Sequence, residues 1–68
     1  MYNVTILDPT TDSIIERECE TIFDVYYLGG YLCKASTAMR LLTRYRKRVA
    51  HVANLETSES FWIYDVTI

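Results

Sequence analysis

KASTAMRLLTRYRKR, residues Lys34 to Arg48, is the one segment of this chain with a sustained helical period. Leu32, Ala35, Met39 and Leu42 recur at spacings of three and four, with Ala38 and Tyr45 beside them. That pattern predicts a helix burying this stripe. Lys34, Thr37, Arg40, Arg44, Lys47 and Arg48 fall on the outward side, with Leu41 among them as an apolar contact open to a partner. The segment holds six of the chain's seven basic residues. Cations late in a helix also suit the negative end of its dipole.

Upstream of the helix the period is two. Tyr2, Val4 and Ile6 alternate with Asn3 and Thr5, which predicts a half-buried strand. Asp8-Pro9-Thr10-Thr11-Asp12 is turn chemistry, because proline presets φ and Asp side chains bond nearby backbone. Ser13 to Thr21 reads as a second strand and completes an antiparallel hairpin over residues 2–21. Ile15, Arg17 and Cys19 share one face of it; Glu16, Glu18 and Glu20 make an acidic stripe on the other.

Ile22 to Leu32 admits two readings. A long helix could start with Asp24 as its cap and pass through Gly29-Gly30, where each glycine costs about 1 kcal/mol relative to alanine. Alternatively the strand continues to about Tyr27 and the helix begins near Gly30. The crowding of β-branched and aromatic residues over 21–27 favours the second.

Downstream, Val49 to Leu55 alternates again, Glu56 to Ser60 is a polar connector, and Phe61 to Ile68 is a strand by composition. The expected fold is α+β. A four-stranded antiparallel sheet in the order β-β-α-β-β carries one helix on one face, as a single small domain spanning 1–68.

Composition narrows the function classes. Half of the 68 residues are hydrophobic and nine are aromatic, which excludes disorder and is rich for so small a monomer. The net charge of −2 favours neither nucleic acid nor membrane in bulk. Charge is nevertheless segregated. Residues 1–33 carry six carboxylates against Arg17, residues 34–48 are purely basic, and Glu56, Glu59 and Asp65 make the remainder acidic. Two cysteines, Cys19 and Cys33, are too few for a disulfide scaffold and read as small reduced hydrophobes.

No apolar run is long enough to span a membrane, and the N-terminus has no signal-peptide pattern. The Met1 start and the terminal strand read as a complete small cytosolic reading frame.

Catalytic chemistry finds no foothold. His51 is the only histidine and has no ligand at metal spacing. Neither cysteine has an activating base in view. Gly29-Gly30 fits neither phosphate-loop pattern and reads as a conformational break. The expectation is a chain that is not an enzyme and takes no cofactor or metal.

Arg40, Arg44, Lys47 and Arg48 at the helix end could meet an acidic protein surface, or the phosphates of a nucleic acid or nucleotide. Tyr26, Tyr27 and Tyr31 form an aromatic group suited to anchoring a protein partner. A homodimer or higher oligomer is expected as well. A lone helix would leave Trp62 or Phe61 uncovered on the far face of the sheet, and unpaired strand edges offer a second route.

In its size, Met1 start, dense aromatics and lack of catalytic motifs, the chain resembles small accessory proteins of tailed bacteriophages. The likeness spans the whole chain without a diagnostic motif. It implies a compact α+β inhibitor or modulator that binds a host or defence protein in the host cytoplasm.

Overall fold

The computed structural model describes residues 1–67. Five strands and two helices follow one another as β1 (Tyr2–Asp8), β2 (Ser13–Cys19), α1 (Ile22–Tyr26), β3 (Tyr31–Cys33), α2 (Ala35–Thr43), β4 (Val49–Asn54) and β5 (Ser60–Tyr64). The strands form one sheet in the order β2-β1-β4-β5-β3, with every neighbouring pair antiparallel. The α+β class and the antiparallel sheet match the reading of the sequence. The count differs by one strand and one helix, and both additions come from residues 22–33.

That segment is neither a long helix nor an extended strand. Thr21, not Asp24, caps α1: the Thr21 hydroxyl accepts from the Asp24 amide at 3.3 Å, and the Asp24 carboxylate accepts from the Thr21 amide at 3.1 Å. This reciprocal pair satisfies two of the orphan donors at the helix start. After one and a half turns the chain reaches Gly29 and Gly30, at φ +75° and +97°. A Cβ on Gly30 would come within 2.7 Å of the Tyr64 carbonyl oxygen, so only glycine lets the backbone pass β5 this closely. Thr67 then closes the crossing, its amide donating to the Leu28 carbonyl at 2.8 Å.

The pairing register assigns the faces. Val4 lies opposite Val52 and Ile6 opposite Ala50, while Ala50 in turn meets Ile63. These residues form one buried cluster with Val25 and Leu28 from the α1 region and Val66 from the C-terminal segment. Leu7, Val49, His51 and Trp62 belong to the other face. There α2 packs over β4 and β5, with fully buried Ala38 as its contact residue. Both faces are therefore covered by helices. Trp62 and Phe61 are half-buried rather than open, which removes the uncovered face expected from a single helix.

The buried arc of α2 is also rotated from the predicted stripe. Ala38 is fully buried and Leu41 and Leu42 are half-buried, whereas Ala35 and Met39 face outward. Leu41 is thus part of the packed side and not an open contact. Leu32 lies in β3 and not on the helix.

The helix ends at Thr43, five residues short of the predicted end. Arg46 takes φ +51°, and the Lys47 amide donates back to the Leu41 carbonyl at 2.9 Å. This left-handed closure satisfies an end carbonyl and turns the chain toward β4. Lys47 and Arg48 consequently lie outside the helix. β5 ends at Tyr64, where Asp65 adopts φ +62°; of the longer predicted strand, Ile68 lies outside the described residues.

Candidate functional site

A short helix must bury something to exist, since isolated helices below about 12 residues are marginal in water. α1 buries Val25 and half-buries Ile22 against β1 and β2. The price of so few positions is that its other large side chains stay outside. Phe23, Tyr26 and Tyr27 are 69, 66 and 88% exposed. The strand that follows adds Tyr31 at 63% and Leu32 at 72%.

Between α1 and the β3–β5 edge lies an open groove of about 400 Å³. Ile22, Val25, Tyr26, Leu32, Phe61 and Ile63 line it, with the two glycines at its end. Its one charged lining residue is Glu59, which makes no ion pair among the described residues. The aromatics of α1 continue this apolar surface on its outer side. Tyr31 itself packs against Tyr64, ring centroids 5.4 Å apart, on the opposite face of the sheet from Leu32.

The predicted cation cluster does not stay together. Arg48 is drawn into the fold: its Nε and Nη2 donate to Asp8 at 3.3 and 3.1 Å, and its Nη1 donates to the Val66 carbonyl at 2.9 Å. Arg46 donates to the Pro9 carbonyl at 2.6 Å. Lys47 lies 3.9 Å from Asp65, an exposed pair. Arg40 and Arg44 remain exposed without an ion pair among the described residues. Arg40 lies on α2 and Arg44 caps its end, over the face opposite α1, so they do not join Tyr26 and Tyr27 in one surface.

Asp8 is the buried centre of the Arg48 network. The Thr10 hydroxyl donates to it at 2.6 Å and the Thr10 amide at 3.1 Å. Those bonds hold its pKa down at about 2 against the opposing effect of burial, with the Arg48 guanidinium adding to the depression. Three distant pieces of chain meet here: the end of β1, the start of β4 and the C-terminal segment.

The thiols sit in the opposite regime. Burial pushes Cys19 upward, with the Asp24 charge adding to it, and burial alone raises Cys33. Both are free, and thiols raised in this way are poor nucleophiles. His51 packs on its cross-strand partner Trp62, ring centroids 4.8 Å apart. Among the described residues no group of three or more His, Cys, Asp or Glu is placed to hold a metal ion. No helix among them is long and apolar enough to cross a membrane.

Phe23 and Leu32 are exposed apolar residues of this surface that the sequence did not single out for binding. The signal for Phe23 was its three-residue spacing from Tyr26, visible only once α1 is known to be a helix. Comparison with protein-family models, curated proteins and solved structures returns no match to this chain.

Proposed function

We propose that this chain is a non-enzymatic protein-interaction module that binds its partner through α1 and the groove beside it. The observation that carries this reading is the concentration of five large exposed side chains at one end of the sheet. Phe23, Tyr26, Tyr27 and Leu32 present on the order of 600 Å² of mostly apolar surface on the α1 side, and Tyr31 stands at the same edge on the other face of the sheet. A folded chain of this size gains nothing from leaving such a patch in water, and aromatic anchors beside a groove are what a partner's side chains can fill.

The resemblance to phage accessory proteins supports a cytoplasmic host or defence protein as that partner, with the chain acting as its inhibitor or modulator. Nucleic-acid or nucleotide binding receives less support, because Arg48 is taken up by Asp8, Arg46 and Lys47 each hold a surface contact, and Arg40 and Arg44 alone make a small electrostatic footprint.

The test pairs two double variants in capture from bacterial lysate. Phe23→Ser, Tyr27→Ser changes only exposed positions, so it should fold and lose the stoichiometric protein that the unmodified chain retains. Arg40→Glu, Arg44→Glu should retain it. Capture lost only by the arginine variant, or an oligonucleotide retarded at low salt, would refute the aromatic surface as the binding site.

A further inference from the structure

The two open edges of the sheet are built differently. β2 carries Glu16, Arg17 and Glu18 in succession, so both faces of that edge strand bear charge. Charged side chains are how natural edge strands are kept from pairing with another chain. β3, at the other edge, is Tyr31-Leu32-Cys33, with neither charge nor proline.

The geometry points to β3 as the site where a second copy of this chain adds to the sheet, antiparallel, across a two-fold axis at Leu32. In that register Leu32 meets Leu32 of the second copy, Tyr31 meets Cys33, and Gly30 meets Lys34. No charge faces its like, and the lysine stem lies beside a residue with no side chain. The same operation on β2, centred on Arg17, would set Arg17 against Arg17 and Glu16 against Glu18, with only Ile15 and Cys19 as an apolar pair beyond them. Like charges therefore oppose self-pairing in the central register of β2 and are missing from that of β3.

A two-fold axis normal to the sheet keeps faces together, so both Leu32 side chains project on the α1 side, beside Tyr26 and the groove. Tyr31 stays on the other face with Tyr64. Three residues from each copy make a junction well below the roughly 800 Å² per partner of a standard interface, so the dimer is reversible rather than obligate. Phe23 and Tyr27 lie outside it. The seam takes up Leu32 and Tyr31, so the dimer leaves Phe23, Tyr26 and Tyr27 of each copy for the proposed partner, and its formation does not depend on the identity of that partner.

Oxidative trapping and sedimentation test this together. Directly opposed residues of an antiparallel pair have Cα atoms about 4.5–5.5 Å apart, within the window a disulfide spans. Leu32→Cys in a Cys33→Ser background should form a covalent dimer under mild oxidant, at twice the 8.0 kDa chain mass. Ile14→Cys in the same background, on the guarded edge, should not.

In sedimentation equilibrium over about 10–500 µM the unmodified chain should rise above 8.0 kDa. Leu32→Glu, at an exposed position, should weaken association at least about tenfold while keeping its dispersed amide spectrum. Equal trapping at Ile14 and Leu32, or a single 8.0 kDa species throughout, would overturn the proposal and leave the β3 edge to a strand from a different protein.

Discussion

Asp8 and Arg48 show how one contact converts an apparent surface charge into a structural one. The Asp8 carboxyl titrates near 3.8 in the ordinary case and near 2 in the fold. A depressed folded pKa means that the unfolded chain binds more protons in between, so stability rises with pH through this window. The contribution is complete above about pH 4 and lost as pH falls toward about 2. Melting temperatures followed from pH 6 down to about pH 2 should therefore fall most steeply below about pH 4. Asp8→Asn should start lower and show a flatter acid limb.

Gly30 is the second decisive residue. Alanine there must hold φ near +97° with its Cβ 2.7 Å from the Tyr64 carbonyl oxygen. Strain of this kind costs about 1–3 kcal/mol. Gly30→Ala should lower the melting temperature by roughly 4–8 °C per kcal/mol, read by thermal circular dichroism.

At the scale of elements, the two helices exist for different reasons. α1 has five residues and depends on its cap and on Val25. Thr21→Ala removes one half of the reciprocal cap and should destabilise the protein by about 0.5–2 kcal/mol. If the proposed surface binds the partner, its effect on partner capture should exceed that of other variants equally destabilised, because the helix carries Phe23 and Tyr26.

α2 is held by close approach to the sheet through Ala38. Ala38→Leu should cost about 1–3 kcal/mol by overpacking, whereas Met39→Ala should cost about 0.5 kcal/mol or less, as exposed positions do. The stripe expected from periodicity orders these two variants the other way, so denaturant midpoints decide between the two orientations of the helix.

For the molecule as a whole, helices over both faces remove the first reason for assembly expected from the sequence. A single-helix layout would have driven oligomers through a bare sheet face. In the observed layout the densest group of exposed large side chains is the α1 patch with the β3 edge beside it, while Ile14, Tyr45 and Leu55 are exposed singly. A chain of 68 residues has a marginal core, so anything that binds the folded state raises its apparent stability by mass action. The melting temperature should rise with protein concentration for the unmodified chain and stay constant for Leu32→Glu.

The elements legible in the sequence were those whose signal is local. β1 alternates over seven residues with every buried residue on one face, so period and pattern coincide; β2, β4 and β5 show the period over five to seven residues although β2 buries only Cys19 and β4 is buried on both faces. The existence of α2 was legible for the same reason. α1 and β3 were not, because five and three residues are shorter than the window in which either period shows. The glycines announced a break there, but which way the chain turned depended on the passage beneath Tyr64.

Tertiary structure alone decided the rest. The rotation of α2 follows from which residue is small enough to sit against β4 and β5. The break-up of the cation cluster follows from partners that sequence distance hides: Asp8 lies 40 positions from Arg48, and Pro9 lies 37 from Arg46. Composition could announce a surplus of aromatics, but only the packing, by using up one side of a very short helix, determined which of them face water.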